Sequence, residues 1–170
     1  ARQSIHATIR AANMERVQLT KAPKIAVYVP PDAEPWDDAV RLALEYAQIE
    51  YVKLWDREVL TGKLADYEWL HLHHEDFTGQ YGKFYGSFRS AAWYQEQVRT
   101  FLAAAREAGF SKVQEHKGAV AAEIRNYVKN GGFLFAEACC GDPRFDQGFR
   151  QLMQRLFPDT PLKPLPPEHP

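Results

Sequence analysis

Lys24-Ile25-Ala26-Val27-Tyr28-Val29 is a short apolar run, rich in β-branched residues, that halts at Pro30-Pro31. Such a run reads as a buried strand, and two successive prolines cannot extend a hydrogen-bonded ladder. A helix is expected directly afterwards. Pro35 suits its first turn, and Glu34, Asp37 and Asp38 lie at the positive end of its dipole. Trp36, Ala39, Val40, Ala43, Leu44 and Ala47 recur at helical spacing as its apolar face. Residues 50–55 read as a second strand, 57–64 as a short helical turn, and 67–73 as a third strand. Two helices follow, over about 94–108 and 115–129, stopping at Gly109 and at Asn130-Gly131-Gly132. Val120, Ile124, Tyr127 and Val128 form the second one's buried stripe. Residues 132–137 are a fourth strand. A last helix over about 145–156 turns Phe145, Phe149, Leu152 and Leu156 inward. This alternation predicts an α/β fold with a mainly parallel sheet and helices on both faces.

The totals agree with a folded domain and exclude several classes. A chain of 170 residues suits one domain, spanning 1–170. A composition of 45% hydrophobic and 25% charged residues excludes a disordered chain, a collagen-like repeat and a coiled coil. With 21 basic against 22 acidic residues there is no cationic excess, so nucleic acid is not an expected partner. No apolar run reaches the roughly 20 residues of a membrane-spanning helix. Residues 1–20 read as an N-terminal extension with two strand-like pieces, at 4–9 and 14–19. Residues 158–170 read as an extended proline-rich tail. The start Ala1-Arg2-Gln3 fits a cytoplasmic chain after methionine removal, an exported one after signal cleavage, or a trimmed one. Cys139 and Cys140 are adjacent and unsuited to a stabilising disulfide.

Ligands of open parallel sheets bind beyond the carboxyl ends of the strands, and two strands here finish in chemically dense segments. The first is His71-Leu-His-His-Glu-Asp76. His71 and His73 share a face of the strand, while His74, Glu75 and Asp76 lead into the loop. Imidazole and carboxylate so close together suit a divalent zinc, iron or manganese ion. The ordinary alternative makes His71 a core residue and the others caps of backbone groups. The second segment is Glu137-Ala-Cys-Cys-Gly-Asp142, between a strand and a helix. A nucleophile on such a turn sits near helix-start amides that stabilise an oxyanion and lower a thiol pKa. Cys139 is the favoured nucleophile, Gly141 the small residue two places on, and Glu137 an orienting carboxylate. The alternative is two small buried packing cysteines.

Both segments fall at one edge of the sheet, so a Cys–His pair or a mixed His/Cys/Glu site is expected to be able to form there. Cys139, His73, His74 and Glu137 are the candidate catalytic groups. His73, His74, Glu75 and Asp142 are the candidate metal ligands. Residues 75–94 form a long segment rich in glycine and aromatics, and Tyr81, Phe84 and Tyr85 are candidate contacts to a sugar or apolar ligand, with packing of the loop onto the sheet as the alternative; Gly141 is the fourth candidate substrate-binding residue. His6 and His116 carry no partner signal and read as surface residues.

The segment Tyr67-Glu-Trp-Leu-His-Leu-His-His-Glu-Asp-Phe-Thr-Gly-Gln-Tyr-Gly-Lys-Phe-Tyr85 resembles bacterial proteins labelled asparagine synthetase B, which look like members of the class I glutamine amidotransferase-like superfamily. Gly131-Gly-Phe-Leu-Phe-Ala-Glu-Ala-Cys-Cys-Gly141, with Phe145-Asp146, Phe157-Pro158 and Pro164-Leu-Pro-Pro-Glu-His-Pro170, resembles a bacterial domain family of unknown function related to trehalose-utilisation-type proteins. Together these cover roughly residues 24–170. The resemblance implies a flavodoxin-like three-layer sandwich and puts Cys139 near the amidotransferase elbow. The chain departs from the pattern after that point. Its one later histidine, His169, directly follows Glu168 in the proline-rich tail, so the usual triad order is missing. An ATP-pyrophosphatase motif is missing too, so asparagine synthesis is not expected. Three readings remain: a domain that binds or hydrolyses a small polar molecule, with carbohydrate-related ones among the candidates; a metal-dependent hydrolase; and a non-catalytic binding domain.

Overall fold

The structure, a computed structural model, describes residues 21–30, 39–73, 88–138, 141 and 143–168. The chain divides into two units, Pro23–Leu162 and a smaller one of Ala1–Ala22 with Lys163–Pro170. In the smaller unit, residues 163–168 form neither helix nor strand and are exposed, in keeping with three prolines among these six residues. The strand-like pieces expected within 1–20 and most of the aromatic segment 75–94 lie outside the described residues.

In the larger unit the elements run β1 (Ile25–Tyr28), α1 (Ala39–Tyr46), β2 (Tyr51–Leu54), α2 (Asp56–Leu60), a 3-10 turn (Lys63–Asp66), β3 (Trp69–Leu72), α3 (Ala92–Glu107), α4 (Val113–Lys129), β4 (Phe133–Ala136) and α5 (Pro143–Leu156). The strands form one all-parallel sheet in the order β2-β1-β3-β4. This is the α/β arrangement with a parallel sheet that the alternating pattern predicts, and it is consistent with the flavodoxin-like fold that the resemblance implies. Every residue of β1 is buried, as befits a central strand covered on both faces. The edge strand β4 alternates between exposed and half-buried residues.

Register divides the strand residues between two cores. Ala26, Tyr28, Leu54, Leu70 and Leu72 face Val59 of α2, Val120, Ala121, Ile124 and Tyr127 of α4, and Leu152 and Met153 of α5. Ile25, Val27 and Val29 face Val40 of α1 on the other side. The stripe expected on α4 is therefore in the core, with Val128 packed half-buried against it. Arg125 Nε donates to the Leu156 carbonyl at 2.7 Å, tying α4 to the end of α5. The helix stops hold as well, with Gly109 and Gly131 at positive φ just past the ends of α3 and α4.

The first helix departs from its expected face. Val40 is buried and Leu44 half-buried, but Ala39, Ala43 and Ala47 are exposed and Trp36 lies outside the described residues. Arg41, one position along from Val40, is only 2% exposed. A helix of eight residues over one side of a four-stranded sheet meets it along a narrow line, here Val40 and Leu44 one turn apart.

Candidate functional site

Parallel order β2-β1-β3-β4 means that the chain leaves β1 toward one side for β2 and toward the other for β3. The crevice of such a sheet opens at that reversal, beyond the carboxyl ends of β1 and β3. His73 follows β3 directly and Glu137 follows β4 directly. The Glu137 amide donates at 3.0 Å to the carbonyl of Leu72, the last residue of β3, which carries the β3–β4 ladder one residue past the end of β4. The described starts of the two polar segments, His73 and Glu137, are thus neighbours across the sheet. His71 Nε2 stands 3.8 Å from Glu137 Oε1, a separation for charge attraction to a protonated imidazole rather than for a hydrogen bond.

Burial differs sharply within this group. His71 and His73 are 8% and 6% exposed, while the Glu137 side chain is about half exposed, at 49%. Their rings meet edge to face at 5.5 Å, and the His71 ring also stands edge-on to Phe135 at 5.1 Å. The two histidines therefore lie on one face, as alternation along a strand requires. His71 pairs in register with Val27, which places it on the α1 side of the sheet.

The turn into α5 is described at its two ends. The Gly141 amide donates to the Ala138 carbonyl at 2.9 Å, closing a tight turn. Gly141 has φ +69°, and a Cβ there would meet nothing within 4 Å. Conformation rather than crowding is what glycine satisfies at this position. Cys139, Cys140 and Asp142 lie outside the described residues, as do His74, Glu75, Tyr81, Phe84 and Tyr85. Of the expected site residues, the structure places His73, Glu137 and Gly141; His71, from the same polar segment as His73, stands beside them. Among the described residues, no group of three or more His, Cys, Asp and Glu side chains is arranged to hold a metal ion.

A second polar group escaped the sequence reading. His116, expected at the surface, is 2% exposed, and Lys117 beside it is 5% exposed. Both belong to the first turns of α4 and point at Asp56, the first residue of α2. Lys117 Nζ lies 2.8 Å from Asp56 Oδ2 and 3.0 Å from Oδ1. It also donates to Tyr28 Oη at 3.0 Å and sits 4.0 Å from the centre of the Trp55 ring. The Tyr28 hydroxyl donates to Asp56 Oδ1. His116 Nδ1 is 3.6 Å from Asp56 Oδ2. Burial pushes the His116 imidazole below its ordinary pKa of 6.5; the Asp56 charge acts in the opposite direction without prevailing, and Lys117 adds to the depression.

The local sequence explains how Asp56 comes to stand there. Trp55 is extended, and its amide donates to Glu58 Oε2 at 3.1 Å, which caps the short helix that begins with Asp56. A signal for Lys117 was present too. The stripe Val120, Ile124, Tyr127 continued back one turn reaches Lys117 at the helical spacing. Lysine on a buried stripe needs a carboxylate, and that partner is 61 residues earlier, out of reach of any spacing argument.

The fold and these groups define a parallel α/β domain with polar residues gathered at the carboxyl ends of its strands. Residues 108–170, which carry α4, β4 and α5, match a family described as Domain of unknown function (DUF4159). His116, Lys117, Glu137 and Gly141 all fall within the matched stretch. No curated protein and no solved structure matches the chain. No helix among the described residues is long and apolar enough to cross a membrane.

Proposed function

We propose that the chain is an amidotransferase-like α/β domain that binds and hydrolyses a small polar molecule beyond the carboxyl ends of β1, β3 and β4. The observation that carries this reading is the approach of His71 and Glu137 from neighbouring strand ends to 3.8 Å. An imidazole beside a carboxylate is a proton-transfer unit, and the carboxylate favours the charged imidazole formed during catalysis. Glu137 is the orienting group and the edge-on imidazoles of His71 and His73 are the proton carriers. Cys139 follows Glu137 by two residues in the sequence and is the nucleophile of this proposal. The aromatic residues Tyr81, Phe84 and Tyr85 suit the faces of a sugar ring, which makes a carbohydrate-related substrate the first to try.

The test is hydrolysis of p-nitrophenyl acetate, and then of a panel of small esters, amides and sugar derivatives. Saturable turnover is expected, falling at least tenfold in Glu137→Gln and in Cys139→Ser while circular dichroism is unchanged. Rates equal to buffer in all three proteins would leave a non-catalytic binding domain. Loss of turnover to a chelator, with Cys139→Ser fully active, would move the chemistry to a metal.

A further inference from the structure

The face of the sheet opposite His71 holds a cavity of about 490 Å³ between α2, the end of α3 and the start of α4. Trp55, Leu60, Ala104, Ala108 and Phe110 form apolar walls, and Asp56 and His116 reach it from the buried polar group. This volume lies within the range of small-molecule pockets, which are mostly apolar with a few placed polar groups.

His116 decides what such a ligand must carry. One face of its ring is stacked on Phe110, with centroids 5.4 Å apart. Its Nδ1 faces the Asp56 carboxylate, which favours the tautomer with the proton on Nδ1. Nε2 is then an acceptor. It is buried, and among the described residues it has no hydrogen-bond partner. Buried acceptors in native structures are nearly always satisfied, so this one calls for a donor.

We propose that this cavity is a second small-molecule site, taking an aromatic ring with an O–H or N–H group that donates to His116 Nε2. The ring lies among Trp55, Leu60 and Phe110. Asp56 holds the imidazole in the accepting tautomer, and Tyr28 and Lys117 hold Asp56. The depressed pKa of His116 supports the assignment, since a neutral ring keeps the acceptor at neutral pH. The site lies on the opposite face from the strand-end pair, so it stands or falls independently of the hydrolytic reading.

Calorimetric titration with p-cresol and with 4-methylanisole tests the proposal, since the two differ by the donor. The full chain is expected to bind p-cresol saturably and at least tenfold more tightly than 4-methylanisole. The His116 Nε2 resonance should shift with p-cresol. His116→Phe should abolish the preference between the two probes. Ala104→Trp, which fills the cavity from α3 and leaves the polar group in place, should abolish binding of both. No saturable p-cresol binding, equal affinity for the two probes, or binding unaffected by Ala104→Trp would overturn the proposal.

Discussion

Replacing either member of the Asp56–Lys117 pair tests the buried polar group most directly. At 2.8 Å the two charges attract by about 6 kcal/mol at an effective dielectric constant of about 20. Desolvating both costs several kcal/mol per ion, so the intact pair contributes little net stability. Breaking it is different, because the surviving charge stays buried without its counter-ion. Asp56→Asn leaves the Lys117 ammonium, which is 5% exposed, among the rings of Trp55, Phe101 and Tyr28. The expected cost is about 3–5 kcal/mol, a fifth or more of the roughly 5–15 kcal/mol that holds an ordinary domain together. Lys117→Met should cost a similar amount at neutral pH and less on acidification, because His116 at 3.6 Å can then take a proton and replace the lost cation. The double variant Asp56→Leu, Lys117→Met should be more stable than either single one. Its residual loss of about 1–3 kcal/mol comes from the Tyr28 hydroxyl, whose acceptor has gone, and adding Tyr28→Phe should remove most of it. Urea unfolding at pH 7 measures all four. A cost below about 1 kcal/mol for Asp56→Asn, or strictly additive costs in the double variant, would refute the reasoning.

His116 sets one pH dependence. Its folded pKa lies below the ordinary 6.5, so the unfolded chain binds more protons in that interval. Its contribution is complete above about pH 6.5 and is lost as the pH falls toward the lowered value; His116→Gln should flatten the curve of unfolding free energy between pH 7 and 5. Gly132→Ala should destabilise by about 1–3 kcal/mol in thermal unfolding, because the new Cβ would stand 2.3 Å from the Tyr127 ring, whose hydroxyl is tied to the Phe133 carbonyl. Gly141→Ala meets no neighbour, so only its φ of +69° is penalised, and the loss should be about 1 kcal/mol. Chemical denaturation of both glycine variants separates crowding from conformational strain; equal losses would contradict the distinction.

Local patterns carried the fold class. Strand β1 is buried throughout and uniformly apolar, and its Pro30-Pro31 stop is a matter of backbone chemistry. The ends of α3 and α4 follow from glycines at positive φ. These features depend on residues close in sequence, so they were legible. The face of α1 was not, because an amphipathic pattern gives an average direction, whereas Arg41 is buried through what surrounds that helix in the folded chain.

The strand ends were readable as places where chemistry gathers, because parallel sheets put their carboxyl termini on one edge and His71, His73 and Glu137 stand at or beside such ends. Sequence by itself therefore determined the layered α/β class, the strand and helix elements of the described residues, and the strand ends beside which His73 and Glu137 stand. Only the tertiary structure decided which residues meet. His71 and Glu137 are 66 positions apart and come within 3.8 Å because β3 and β4 are adjacent. Asp56, Lys117 and Tyr28 converge because the start of α4 meets the start of α2 beside the last residue of β1. Periodicity reports a residue's face toward its own element's surroundings. The charge that awaits it there is set by strand order and helix packing, which no local spacing encodes.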